Sequence, residues 1–302
     1  MNRGKRFNKR LTRSDLLFDA IILTIMVIVC IIILYPLYFI VIASFTHPDI
    51  VNRGGLLLWP SELFLGGYRR ILQYDQLWVG YRNSLVYMIV GTFINLLVTI
   101  PAGYALSRSD LPWRRMLMLV FTFTMFFSGG LIPTFLLVVN LGMQDTMWAL
   151  ILPGALSVWN LIVTRSFFEG SMPGEMLDAA LIDGCSDFKY FFFIVLPLSK
   201  VIIAVIGLFY AVAHWNSFFP ALIYLNNPNL FPLQLILRNL LIVHQIAQGA
   251  MIPDPMGMAH RLALAEQMRF GVIVVAALPL LMIYPFIQKY FTQGVMIGAI
   301  KG

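Results

Sequence analysis

The chain has 302 residues, of which 60% are hydrophobic and only 12% charged, against about 25% charged in a soluble domain. Apolar runs near the ~20 residues needed to cross a hydrocarbon core recur along almost the whole sequence, which makes one polytopic membrane domain the natural unit. The net charge of +7 does not form a basic face with interleaved aromatics, so it excludes a nucleic-acid partner and fits Lys and Arg retained on the cytoplasmic side of a membrane.

In chain order, residues 1–15 form a basic amino terminus with Arg3, Lys5, Arg6, Lys9, Arg10 and Arg13 ahead of the first apolar run, which places it in the cytoplasm. The run from Leu16 to Phe45 is too long for a signal-peptide core and is expected to stay as a membrane anchor. Asp15 and Asp19 at its edge read as interfacial partners of Arg10 or Arg13. A polar stretch from Thr46 to Arg82, broken by Gly54, Gly55, Pro60, Gly66 and Gly67, reads as an external loop.

Asn83 to Leu106 is a second span, and Pro101 predicts a kink near its cytoplasmic end. Ser107 to Arg115 returns the chain inside. Met116 to Val139 and Met147 to Phe168 are spans three and four, joined by a tight external turn, Asn140 to Thr146. A hydrophilic cytoplasmic segment comes next, with a loop over about residues 169–198. Ser199 to Leu225 is the fifth span, about 226–269 an external loop, Phe270 to Phe291 the sixth span, and 292–302 a cytoplasmic tail.

Within the external loop, Leu233, Ile236, Leu237, Leu240 and Leu241 share one helical stripe, with Arg238 and Asn239 opposite, which predicts a helix at the interface or capping the bundle. The expectation is an all-α membrane protein of six transmembrane helices, with residues 16–302 a single transmembrane domain and both termini cytoplasmic. Seven of the 21 Lys and Arg residues then lie outside (Arg53, Arg69, Arg70, Arg82, Arg238, Arg261 and Arg269), leaving 14 inside.

Catalytic chemistry has no foothold in this pattern. There is no Gly-x-Ser-x-Gly elbow and no phosphate-cradling Gly-x-x-x-x-Gly-Lys-Ser/Thr loop. The histidines His47, His214, His244 and His260 and the cysteines Cys30 and Cys185 lack metal-ligand or disulfide spacing, so no metal is signalled. Energy for transport has to come from a partner, or the passage is facilitated.

The cytoplasmic segment has the make-up of a short rigid surface helix. Pro173, Glu175 and Asp178 supply start signals, Ala179 and Ala180 keep one side small, and Gly184 is a stop. Composition alone leaves an ordinary solvated connector equally open.

The stretch Glu175-Met-Leu-Asp178-Ala179-Ala180-Leu-Ile-Asp-Gly184, followed after nine residues by Ile194-Val-Leu196-Pro197, resembles the EAA motif of ATP-binding cassette importer permeases, with Asp178 in place of the commoner Glu. Ser128-Gly-Gly-Leu-Ile-Pro133, His214-Trp215-Asn216 before Pro220, and the tail Gly294 to Gly302 ending Gly298-Ala299-Ile300-Lys301-Gly302 extend the likeness to the MalG-like carbohydrate-uptake permeases, closest to their LplC/YtcP-like polysaccharide or oligosaccharide branch.

The resemblance implies a non-catalytic permease subunit in a bacterial cytoplasmic membrane, forming half of a sugar-translocation pathway. Its implied partners are a homologous second permease, two cytosolic ATPases that carry the ATP and Mg, and an extracytoplasmic solute-binding protein. Coupling to the ATPases is implied for Glu175, Asp178, Ala179, Ala180, Gly184, Ile194, Leu196 and Pro197, and a tail contact for Gly298, Ala299, Lys301 and Gly302. Sugars present C–H faces to aromatics and hydroxyls to amides, which makes Trp159, Asn160, Trp215 and Asn216 candidates for the substrate pathway. The alternatives are a membrane scaffold or enzyme subunit without transport, and a secondary transporter working without an ATPase.

Overall fold

The structure, a computed structural model, describes residues 13–55, 57–60, 62–240, 268–279, 281–282 and 285. Its elements are helical, and a single antiparallel bridge, Thr46 to Leu63, is the nearest approach to a strand among the described residues. The principal helices are α1 (Arg13–Phe45), α2 (Asp75–Ser107), α3 (Arg114–Phe126), α4 (Leu131–Asn140), α5 (Val158–Ser171), α6 (Gly174–Ile182), α7 (Asp187–Leu198), α8 (Lys200–Trp215) and α9 (Met268–Pro279). The chain divides into two compact units, residues 1–71 with 250–274 and residues 72–249 with 275–302.

In the first unit α1 is apolar on every side, and its residues from Leu16 to Leu34 are exposed. Only its end is packed. Ile42, Ala43 and Ser44 are buried, Ser44 accepts a 2.8 Å hydrogen bond from the Tyr68 hydroxyl, and Phe45 stacks on Tyr68 at 5.1 Å. The Tyr38 hydroxyl donates to the Leu58 carbonyl, and the Phe64 amide donates to the Phe45 carbonyl at 2.9 Å. These bonds satisfy backbone groups that the irregular stretch after α1 would otherwise leave open.

In the second unit α2 is the spine. Its buried residues include Gly80, Ser84, Gly91, Asn95, Thr99 and Gly103, a recurrence of about three and a half to four residues that lays small and polar side chains along one stripe. In hydrocarbon, where apolar burial drives little association, helices associate through close packing at small residues and through interhelical hydrogen bonds. A Cβ on Gly91 would lie 2.4 Å from the His214 ring of α8, and one on Gly103 would lie 2.6 Å from Thr164 of α5. Those two glycines set the approach of both neighbours.

α2 begins at Asp75, eight residues before the apolar run, and runs through Pro101 to Ser107. The third apolar run is two helices, α3 and α4, meeting at 108° around Gly130, whose φ of 86° is open to glycine and costly for other residues. The fourth run is also broken. A short helix, Trp148–Ile151, is followed by an irregular stretch containing Pro153 and Gly154 before Ser157 caps α5. α7 and α8 meet at 77°. Two helices, Leu16–Phe45 and Asp75–Ser107, are each long and apolar enough to span a membrane, and each of the two bent pairs has the form of a broken span or a re-entrant loop.

Of the two positions expected for the amphipathic stretch, at the interface or capping the bundle, its packing on α2 fits the second. Residues 233–240 are helical, and Leu233, Leu235, Ile236 and Leu237 are buried. Gly80 admits this segment, since a Cβ there would meet Ile236 at 2.5 Å and the Leu233 backbone at 3.1 Å, and Ser84 accepts the Leu233 amide at 2.8 Å. The expected stripe extends to Leu241, which lies outside the described residues.

Candidate functional site

The segment linking α5 to α8 is built in two layers. Pro173, in extended conformation, ends the α5 path and starts α6, with Glu175 in the first turn where a carboxylate faces the positive end of the helix dipole. At the other end Gly184 has φ of +74°, its amide donates to the Leu181 carbonyl at 3.0 Å, and the Cys185 amide donates to Ala180 at 2.9 Å. This is a Schellman cap, and its apolar contact is supplied by Ala180 and Cys185, which pack into the same cluster.

The inward layer of α6 is Met176, Leu177 and Ala180, set on a core of Ile100, Phe168, Tyr190, Phe191 and Val195. Ile194 and Leu196 pack against that same core. The outward layer is Glu175, Asp178, Ala179 and Ile182, and Ile182 keeps 87% of its surface open. An apolar residue of that size held out on a capped helix beside two carboxylates is a surface suited to a protein partner.

Pro197 shapes the middle of α7. In a continuous α-helix its ring would press on the Phe193 carbonyl, and the chain instead widens into a π-turn over Phe191–Val195, with the Leu196 amide donating to Phe191. Ser199 then closes the bend, since its hydroxyl donates to the Val195 carbonyl at 2.6 Å while its amide donates to Leu196 at 3.2 Å. The 77° turn into α8 is therefore hydrogen-bonded at its corner rather than loose.

A set of ion pairs ties this end of the bundle together. Arg108, just past α2, holds Asp110 at 2.6 Å and Asp187 of α7 at 2.7 Å. The hydrogen bonds to Arg108 hold the Asp110 carboxyl below the usual carboxylate range, and the same pairing with Asp110 raises the Arg108 guanidinium further. Glu169 of α5 takes Arg114 and, at 2.7 Å, Arg165, while the Arg165 Nε–H donates to the Leu106 carbonyl at 3.1 Å.

Deeper in the unit, the break before α5 is stapled. The Asn95 amide donates to the carbonyls of Gly154 and Ala155 at 2.9 and 2.8 Å, and its oxygen lies 2.7 Å from His214 Nε2. The Tyr210 hydroxyl accepts the Ser157 amide at 3.0 Å and pairs with Thr99 at 2.8 Å. Unwound backbone is tolerated inside a membrane where protein groups satisfy it, and here α2 and α8 do so.

Of the pathway candidates, Trp159 is 59% exposed in the first turn of α5, and Asn160 beside it is buried. Trp215 is 1% exposed, with its indole N–H donating to the Ala276 carbonyl at 3.2 Å, and Asn216 is the exposed residue capping α8. The tail residues Gly298, Ala299, Lys301 and Gly302 lie outside the described residues. Sequence reasoning missed Asn95, Thr99 and Tyr210. The regular four-residue spacing of Gly91, Asn95, Thr99 and Gly103 was the signal available for the first two.

No family model matches the chain. It is 40% identical over 286 residues to the polygalacturonan/rhamnogalacturonan transport system permease protein YtcP of Bacillus subtilis (strain 168), covering 95% of this chain and 99% of that protein. The chain belongs to the sugar permeases of ATP-binding cassette transporters. Protein LplC of the same organism is 37% identical over 96% of this chain and 97% of its own length. Among solved structures, a bacterial ABC transporter involved in the import of the acidic polysaccharide alginate includes a chain that superposes with a TM-score of 0.82 at 29% identity, covering 93% of this chain and 98% of that one. Sugar permeases are membrane-embedded, non-catalytic subunits, which accords with a second unit built on α2 and broken helices.

Proposed function

We propose that this chain is one half of the translocation pathway of a binding-protein-dependent importer of oligosaccharides or polysaccharide fragments, coupled to cytosolic ATPases through α6. The observation that carries the reading is the two-layered α6: an outward Glu175, Asp178, Ala179 and Ile182 face on a helix fixed from beneath by Ala180 and closed by Gly184. A push on that face travels through Tyr190, Phe191 and Val195 into Phe168 of α5 and Ile100 of α2.

In this reading the chain crosses a bacterial cytoplasmic membrane six times with both termini inside, residues 169–198 form the coupling loop, and residues 292–302 reach the ATPases. The partners are a homologous permease, two ATPases binding ATP and Mg, and an external solute-binding protein. Relatives named for polygalacturonan and alginate transport support a carbohydrate cargo of several sugar units. Trp159 and Asn216, exposed at helix ends, are proposed to line the path, with Asn160 and Trp215 behind them.

The test uses two substitutions at one position. Gly184→Val forces a β-branched residue into a left-handed cap at a cost of about 1–3 kcal/mol, whereas Asn tolerates that conformation. Oligosaccharide uptake by cells and ATP hydrolysis by the purified complex should both collapse in Gly184→Val, at normal membrane abundance, and largely persist in Gly184→Asn. Unaltered uptake in Gly184→Val rules out coupling through α6. Sugar flux in vesicles lacking ATP would instead favour a secondary transporter.

A further inference from the structure

Between the end of α2 and the start of α3 lies an open cleft of about 820 Å³, whose lining includes Trp113, Arg114, Arg115, Met116 and Arg165. Three arginines converge there and one carboxylate answers them: Glu169 pairs with Arg114 and Arg165, while Arg115 is exposed. The nearby acids Asp110 and Asp187 are both turned to Arg108. Arg114, Arg115, Arg165 and Glu169 thus leave the cleft itself with a net charge of +2, against −1 on the neighbouring cluster of Arg108 with Asp110 and Asp187.

The apolar side of the cleft is equally unspent. α3 has no buried residue along its length, and Met116, Leu117, Leu119, Val120 and Phe123 are exposed. Trp113 caps the start of α3, next to the arginines of its first turn, 75% exposed, with φ of 63°. A tryptophan held in the left-handed region costs on the order of 1–2 kcal/mol, and its exposed ring has the amphipathic character of the aromatics enriched at membrane–water interfaces.

The geometry points to a binding site for an anionic phospholipid, with the phosphodiester in the arginine cleft, the glycerol region against Trp113 and the acyl chains along α3. Charge complementarity selects an anionic headgroup, and the unbroken passage from guanidinium to bare apolar helix selects a lipid over a free anion. The site lies at the end of the bundle that carries α6, so it occupies the same leaflet as the coupling segment. The inference rests on the membrane placement of the chain and not on the coupling role of α6.

The experiment takes the assembled transporter, purified in detergent and exchanged into phosphatidylglycerol or phosphatidylcholine, and counts retained lipids by native mass spectrometry after stepwise delipidation. Phosphatidylglycerol should be retained in preference, and retention should fall about fivefold in Arg115→Gln, the worth of one arginine near an anionic surface, while Arg115→Lys retains it. Trp113→Ala should weaken retention with the arginines intact. Equal retention of the two lipids, or no loss in Arg115→Gln, overturns the site. Displacement by glycerol 3-phosphate as effective as by the intact lipid overturns the lipid reading in favour of a free phosphate. Protection of a cysteine at Met116→Cys by a partner subunit, with no lipid bound, overturns it in favour of a protein interface. Failure of the Gly184→Val uptake test would leave this result untouched.

Discussion

Helices α1 and α2 each run 33 residues, and each is long and apolar enough to cross a membrane. Between Ile21 and Ile42, α1 has no Gly, Ala or Ser, and its side chains face outward from Leu16 to Leu34. α2 interleaves Gly80, Ser84, Gly91, Asn95, Thr99 and Gly103 with its apolar residues and packs that stripe against α5, α8 and the 233–240 segment. Apolarity alone puts a helix in the bilayer, and small and polar residues at helical spacing decide which helix organises the protein.

The largest effect is expected at Gly91, where α2 meets α8. Gly91→Ile drives a branched side chain into the His214 ring, which Asn95 holds in place, so the ring cannot swing away without losing its 2.7 Å partner. Overpacking of this kind costs about 3 kcal/mol. The expected outcome is loss of a cooperative thermal transition in detergent and loss of uptake. A variant that melts like the parent would mean that α2 and α8 do not meet there.

Asn95→Leu comes next. It leaves the Gly154 and Ala155 carbonyls without their donor and removes the partner of His214. Mean interhelical hydrogen bonds in membranes are worth ~0.6 kcal/mol, but three contacts are lost at once, so about 2 kcal/mol is expected. Hydrogen exchange should rise first around residues 152–157. Unchanged exchange there would show that the break does not depend on α2.

How far the sequence reveals this difference depends on how local the cause of each feature is. The ends of α6 were legible, because Pro173, Glu175 and Gly184 act on their own neighbours and the resulting helix, Gly174–Ile182, needs no distant partner to be defined. The run of α1 was legible for the same reason. The early start of α2 at Asp75 was not, since Asp75, Gln76, Tyr81 and Arg82 look polar and hydropathy marks hydrocarbon rather than helix. The break at residues 152–157 reads as one apolar run with Pro153, and only the distant Asn95 and Tyr210 make the open form stable. The burial of the 233–240 segment depends on the space left by Gly80, which no pattern within the segment itself encodes.

A smaller effect tests the end of α2. Asp110 has its carboxyl held low by Arg108, so its contribution is present above the ordinary carboxylate value of about 4 and is lost as pH falls through the lower folded value. Protease cleavage between residues 107 and 114 should therefore stay slow down to about pH 4 and rise below it. Arg108→Gln should abolish the acid step and raise cleavage at neutral pH. The change in global stability should be slight, because Asp110 and Asp187 are largely exposed.

The smallest effect belongs to α1 and is the sharpest discriminator. Ile25→Ala removes a branched side chain from a surface that is 56% exposed within the chain, so no cavity forms and no buried group loses a partner. Stability of the isolated chain in detergent should change by less than about 0.5 kcal/mol, the range for substitutions away from packed features. The same substitution in the middle of α2 would be expected to cost several times more. If Ile25→Ala lowers the melting temperature of the isolated chain as Asn95→Leu does, then α1 packs on its own bundle and the contrast between the two helices fails. If the loss appears only in the assembled transporter, the outward face of α1 is covered by another subunit, and its lack of small residues reflects a partner that supplies them.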